Sequence, residues 1–161
     1  MKFLSDDEVI TVAMNLEQEG RGFYDEAARL SKHKETKEIF NKLRDEEADH
    51  YKTFKDLLDN IQAAGPKGYF NINEEAVSYL NSLIETGVFK GIDKQSIKRL
   101  SEAEVLEIGL KVERDSVLYY NEAQKMSTNP KAREIMSKII EIEKEHLVTL
   151  TNRLRVARRL F

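Results

Sequence analysis

The sequence predicts an all-α fold, a four-helix bundle of two antiparallel helical hairpins joined by a long crossover. Its 161 residues include only two prolines and seven glycines, a composition typical of helical proteins. Apolar residues recur at alternating steps of three and four along four long segments, which is the spacing of a buried helix face. The two halves of the chain also resemble each other. The length suits one domain, so we expect residues 1–161 to form a single domain.

Local signals set the bounds of the four helices. Ser5 and Ser101 each begin a Ser-x-x-Glu capping box. In this motif the serine side chain accepts a hydrogen bond from a free backbone N–H of the first turn, and the glutamate side chain accepts one from the backbone N–H of the serine. Pro130, after Asn129, is typical of the first position of a helix. The predicted helices span residues 5–30, 35–63, 101–126 and 129–160.

A crossover over residues 64–100 separates the two hairpins. Gly65 and Pro66 end the second helix, because proline cannot continue one. A connection this long usually has a structural role, and here it can carry the chain from one end of the bundle to the other. The pattern from Glu74 to Glu85 predicts a short helix within it. Exchange of a hairpin between subunits is left open by the length of the crossover.

The internal repeat is strongest in its polar residues. Residues 17–50 align without a gap against residues 113–146. The matched pairs include Glu17 with Glu113, Tyr24 with Tyr120, Glu38 with Glu134, Lys42 with Lys138, Glu47 with Glu143 and His50 with His146. A shared core alone would preserve apolar residues better than polar ones. The repeat therefore indicates a shared polar site.

Each helix places a glutamate on its apolar face, and two helices also place a histidine there. The six candidate ligands are Glu17, Glu47, His50, Glu113, Glu143 and His146. Glu17 lies about 15 residues before the first hairpin turn and the Glu47 pair about 16 after it, roughly 23 Å either way at the rise of an α-helix. The second hairpin has the same spacing, so we expect all six side chains in one layer near the middle of the bundle.

Four buried carboxylates in one layer predict bound metal. Unpaired buried ions cost several kcal/mol each, and like charges repel one another. Two divalent cations would balance the four negative charges. Imidazole and carboxylate ligands suit iron or manganese, with zinc or cobalt as substitutes in a purified sample.

Four segments carry a resemblance to a known family. They are LEQEGRGFYDEAA, EEADH, GLKVERDSVLYY and EKEH, and over essentially the whole chain they resemble the ferritin-like family, specifically its rubrerythrin-type domain. A glutamate from each of two helices, with Glu-x-x-His from each of the other two, is the ligand arrangement of such bundles. The resemblance implies two iron ions, bridging carboxylates from Glu47 and Glu143, terminal carboxylates from Glu17 and Glu113, and one imidazole per iron from His50 and His146.

The same resemblance implies a di-iron oxidoreductase that reduces hydrogen peroxide or dioxygen. Rubrerythrin-type peroxidases carry an additional glutamate three residues after the ligand at Glu113, where this chain has Ser116. The four-cysteine rubredoxin domain is absent because the chain has no cysteine, so electrons would come from a separate protein such as a rubredoxin. Two alternatives remain open: a protein that oxidises or stores ferrous iron, and a metal-binding bundle without turnover.

Some residues have both a functional and an ordinary interpretation. Tyr24 and Tyr120 would donate hydrogen bonds to ligand carboxylates on neighbouring helices or would simply pack in the core, and the sequence favours neither. Gly20 costs roughly 1 kcal/mol relative to alanine in a helix, which close packing, room for a small ligand or tolerance would explain. His33 lies among lysines in the first hairpin turn and is interpreted as a surface residue.

Charge and targeting signals limit the partners. The net charge is -3 with interleaved acidic and basic residues, which favours neither nucleic acid nor an anionic membrane as a partner. No apolar segment has the character of a signal peptide or the length of a membrane span, so we expect a cytoplasmic protein. We also expect a homodimer, with Leu160 and Phe161 as candidate contacts.

Overall fold

The computed structural model describes residues 5–65, 74–86 and 94–159, and every regular element within these ranges is a helix. The helices are α1 (Asp6–Leu30), α2 (Lys34–Ala63), α3 (Glu74–Thr86), α4 (Lys94–Ile97), α5 (Glu102–Met126) and α6 (Pro130–Ala157). α1 packs against α2 and α5 against α6, while contacts between α2 and α6 and between α1 and α5 join the two hairpins. The predicted four-helix bundle is confirmed. None of the described helices combines the length and the apolar character that a membrane crossing requires.

The starts of the long helices follow the predicted signals. Ser5 and Ser101 each accept from the backbone N–H three residues further on, and Glu8 and Glu104 accept from the N–H of their cap. The Asn129 side chain accepts from two backbone N–H groups in the first turn of α6. These side chains satisfy N–H groups that a helix start otherwise leaves unpaired.

The ends of α2 and α6 differ slightly from the predicted bounds. α2 begins at Lys34, one residue before the predicted start, and α6 ends at Ala157 rather than at residue 160. Gly65 has a φ of 77°, a left-handed conformation that glycine adopts without a steric penalty, so the chain leaves α2 where predicted. Residues 160 and 161, the candidate dimer contacts, lie outside the described residues.

Two apolar clusters fill the bundle, one on each side of a polar layer. The four long helices contribute Val9, Phe54, Tyr120 and Met136 to the first cluster. They contribute Phe23, Phe40, Leu106 and Leu150 to the second. Burial of a large apolar side chain contributes roughly 1.5–3 kcal/mol. On every long helix the candidate ligands fall between residues of the two clusters, so packing at both ends fixes the heights at which the ligands meet.

The second hairpin starts at the end of the bundle where α2 begins. The Thr36 hydroxyl at the start of α2 donates to Glu102 at the start of α5 over 2.7 Å, so α5 begins at the opposite end from the one where α2 finishes. α3 is one residue longer than the predicted short helix, packs against α5 and buries Leu80. α4 was not predicted, because four residues are too few to leave a periodic signal.

Candidate metal centre

The six predicted ligands converge in the layer between the apolar clusters. All six are buried, and none is more than 5% exposed. α1 contributes Glu17, α2 contributes Glu47 and His50, α5 contributes Glu113, and α6 contributes Glu143 and His146. The three-residue step between glutamate and histidine puts both side chains on one face of α2 and of α6.

The six candidate side chains form two overlapping groups, in each of which one possible ligand atom per residue lies within 4.8 Å of the others. The first group is Glu17, Glu47, His50 and Glu143, and the second is Glu47, Glu113, Glu143 and His146. Glu47 and Glu143 belong to both groups. This geometry suits two neighbouring cations that share two carboxylates.

The Nδ1 atoms of both histidines face the carboxylates. His50 Nδ1 lies 3.1 Å from Glu143 Oε1 and 3.3 Å from Glu17 Oε2. His146 Nδ1 lies 2.9 Å from Glu143 Oε2 and 3.4 Å from Glu113 Oε2. The two rings are 6.0 Å apart between centroids and inclined by 21°. Each histidine therefore presents the same nitrogen to the shared Glu143 and to one unshared glutamate.

Four buried atoms of the first group have no hydrogen-bond partner. They are Glu17 Oε2, Glu47 Oε1, His50 Nδ1 and Glu143 Oε1. The short approach of His50 Nδ1 to Glu143 Oε1 is not aligned as a hydrogen bond. An unpaired buried polar atom costs about 1–3 kcal/mol, and native proteins rarely bury several together. Carboxylate oxygen and imidazole nitrogen are ligands that iron and manganese accept, so this donor set fits a metal ion.

The buried charges shift one another's pKa. Burial, followed by repulsion from neighbouring glutamates, raises the pKa of Glu47 and of Glu113 well above the ordinary value. Burial lowers the pKa of His50 and of His146, but their contacts with carboxylates outweigh it and raise each pKa to about 10. Burial also acts to raise the pKa of Glu143, but contacts with Glu113 and both histidines outweigh it and lower that pKa. Protons thus balance part of the negative charge of the metal-free cluster, and a metal ion would have to displace them to bind.

Two tyrosines reach across the bundle to the unshared glutamates. The Tyr24 hydroxyl on α1 donates to Glu113 Oε1 on α5, and the Tyr120 hydroxyl on α5 donates to Glu17 Oε1 on α1. Burial, followed by the nearby carboxylates, raises the pKa of both tyrosines well above the ordinary value. Both hydroxyls therefore keep their protons. The sequence left two interpretations of these tyrosines open. The structure contains the cross-helix hydrogen bonds, and both rings also pack in the core.

Gly20 allows α1 to approach the shared carboxylate of Glu47. A Cβ atom at Gly20 would lie 3.0 Å from Glu47 Oε2 and 3.4 Å from its Cδ, so an alanine would press on the carboxylate. A Cβ atom at Gly109 would lie 3.3 Å from Leu150 Cδ1 and 3.5 Å from the Tyr24 hydroxyl oxygen. Of the explanations open for Gly20, the structure supports close packing.

Glu46 lies at the site but was not among the predicted candidates. Its Oε2 lies 3.1 Å from His146 Nε2, the ring nitrogen opposite the one that faces the carboxylates. The gapless repeat pairs Glu46 with Ile142, so the signal that identified the six ligands could not identify Glu46. The sequence signal that could have identified Glu46 is its position next to Glu47, beside the apolar face of α2.

Two other residues noted in the sequence lie outside both ligand groups. His33 is the N-cap residue of α2, and its Nε2 lies 3.7 Å from Glu102 Oε2. Ser116 is buried one turn after Glu113. It adds no carboxylate to the site.

Comparisons with known proteins agree with this description. The rubrerythrin family model matches residues 8–154. A crystal structure from Thermotoga maritima, described as a ferritin-like diiron-carboxylate protein, has 28% sequence identity and a TM-score of 0.72, with 96% of this chain and 97% of that chain covered. A hypothetical protein from Pyrococcus furiosus has 17% identity and a TM-score of 0.69, with 98% and 92% covered, and shows a likeness of fold alone. Among curated proteins, none matches the chain.

Proposed function

The chain belongs to the rubrerythrin family, and from this premise we propose that it is a non-haem di-iron oxidoreductase that reduces hydrogen peroxide or dioxygen. The observation that carries the proposal is the pair of overlapping ligand groups that share Glu47 and Glu143. Glu47 and Glu143 would help to hold both irons. Each iron position would also have one unshared carboxylate and one imidazole, Glu17 with His50 and Glu113 with His146.

Iron, when bound, supplies the redox chemistry by cycling between its ferrous and ferric states. The chain's residues hold that site in place. Each unshared glutamate accepts from a tyrosine through Oε1 and directs Oε2 towards a histidine Nδ1. The tyrosines therefore orient the ligand oxygens, as outer hydrogen-bond partners of metal ligands commonly do. The apolar clusters above and below keep bulk water away from the buried layer.

The proposal includes a separate electron-donor protein, a homodimer and a cytoplasmic location. We propose a separate donor, such as a rubredoxin, because these 161 residues contain no cysteine with which to hold an iron–sulfur centre. Manganese is the alternative metal, since the same ligands suit it. Because Ser116 cannot supply a carboxylate, we assign no metal ligand to that position.

Anaerobic reconstitution with ferrous iron tests the proposal. We expect about two irons per chain, and rapid conversion to a ferric absorption spectrum when hydrogen peroxide or dioxygen is mixed in. Glu47→Gln should lower the iron content, whereas Glu38→Gln, at an exposed position of the same helix, should not. Two bound irons that do not respond to either oxidant would identify a metal-stabilised bundle instead. Accumulation of many ferric ions per chain would identify an iron-storing protein.

A further inference from the structure

The ring of His146 contacts carboxylates on both sides. Its Nδ1 lies 2.9 Å from Glu143 Oε2, and its Nε2 lies 3.1 Å from Glu46 Oε2. The Glu46 side chain is 31% exposed, and its other oxygen lies 3.6 Å from Lys42 Nζ. Glu46 therefore lies between a buried ligand and the protein surface.

This contact has a specific consequence for metal binding. A neutral imidazole has one proton, and when Nδ1 binds a cation that proton is on Nε2. A carboxylate that accepts this proton fixes the tautomer and the ring orientation and makes the histidine a stronger ligand. The hydrogen bond is also strengthened because its acceptor is charged.

The internal repeat makes the contact asymmetric. The repeat preserves all six ligands and both tyrosines that donate to them, but it pairs Glu46 with Ile142. An isoleucine side chain cannot accept a hydrogen bond. The two halves of the site therefore differ at this position, although their ligands match.

We propose that Glu46 is a positioning residue that orients His146 and makes the second ligand group, Glu47, Glu113, Glu143 and His146, the tighter of two metal positions. This inference rests on the proposed function, since it requires that the cluster binds two metal ions. It does not require that bound iron reacts with an oxidant.

Zinc titration of the metal-free protein against a chromophoric chelator tests the inference. Wild-type protein should bind zinc in two resolved steps. Glu46→Ile introduces the residue that the repeat has at 142, and should weaken the tighter step by about 10- to 100-fold while the weaker step is unchanged. Glu46→Gln keeps an acceptor oxygen on a side chain of the same shape, and should retain most of the affinity. Glu145→Gln is the matched control, because it removes the same charge at an exposed position next to His146.

NMR of the zinc-loaded, ¹⁵N-labelled protein observes the Nε2 proton of His146, whose signal would not change if Glu46 had a structural role alone. The Nε2 proton of His146 should resonate downfield and exchange slowly with water in the wild type and in Glu46→Gln. In Glu46→Ile it should move upfield and exchange faster. The corresponding signal of His50 should be the same in all variants.

The outcomes separate this inference from the proposed function. Unchanged zinc binding in Glu46→Ile would overturn the inference and leave the two-metal site standing. Equal weakening in Glu46→Ile, Glu46→Gln and Glu145→Gln would also overturn it, because charge alone would then explain the loss. Two zinc steps with the expected variant pattern, in a protein whose iron does not respond to oxidants, would support the inference and refute the redox function. Less than one zinc per wild-type chain would refute both.

Discussion

Two glycines of α1 allow the effect of helix propensity to be measured apart from the packing at the candidate metal site. Both Gly20 and Gly22 lie inside the helix. A Cβ atom at Gly22 would meet nothing within 4 Å, whereas one at Gly20 would lie 3.0 Å from Glu47 Oε2. Alanine is favoured over glycine in a helix interior by about 1 kcal/mol, which corresponds to a Tm increase of about 2–4 °C in a chain of this size. We expect Gly22→Ala to give this increase without changing metal binding.

Gly20→Ala should give a different result because its methyl group presses on the shared carboxylate. In the metal-free protein the carboxylate is the end of a side chain that can shift, so the Tm should rise, but by less than in Gly22→Ala. In the metal-loaded protein Glu47 is proposed to bind both ions, and the shift should weaken both positions. We expect a roughly tenfold weaker zinc affinity at each position, which lowers the metal-induced stabilisation by about 1.4 kcal/mol per position at high metal concentration.

Thermal unfolding with and without excess zinc, together with chelator competition, measures both quantities. The two variants should share the sign of the change in metal-free Tm and differ in the Tm shift caused by zinc. If Gly20→Ala and Gly22→Ala bind zinc equally well, the close approach of α1 is not what positions Glu47.

Substitution of the tyrosines, a change of pH and removal of metal test the same site in other ways. Tyr120→Phe removes the donor to Glu17 and should weaken zinc binding in a calorimetric titration. Tyr119→Phe removes a 2.9 Å hydrogen bond to a backbone carbonyl, and should lower stability to denaturant by about 1–3 kcal/mol with zinc affinity unchanged. In the metal-free protein the free energy of unfolding should fall as pH rises from 6.5 to about 10. Folding raises the pKa of His50 and of His146 from 6.5 to about 10, so the folded state binds protons more tightly than the unfolded state does. The stabilisation caused by zinc should grow over the same pH range, since protons then compete less with metal. Denaturant titrations at each pH measure both trends. A free energy of unfolding of the metal-free protein that does not change with pH would show that the histidines are not coupled to the carboxylates. Removing metal with a chelator should lower the Tm of the loaded wild type, and an unchanged Tm would mean that the cluster is not a metal site.

The sequence predicted the bundle and the six converging side chains because those features depend on local spacing. Ser5 and Ser101 start helices through hydrogen bonds within one turn, and a step of three or four residues defines a helix face without knowledge of its partners. Equal distances from the hairpin turns then placed Glu17 and Glu47 at one height. The gapless repeat extended the same argument to the second hairpin.

The tertiary structure decided which residues from different helices meet. Tyr24 donates to Glu113 rather than to a glutamate of its own hairpin, which follows from how α1 and α5 pack and not from any spacing within either helix. The same holds for Gly20 beneath Glu47 and for Glu46 against His146, because each contact joins residues of two helices. Periodicity states which face of a helix is buried. Side-chain packing sets the rotation and height of the neighbouring helix, and these determine which of its atoms the buried face contacts.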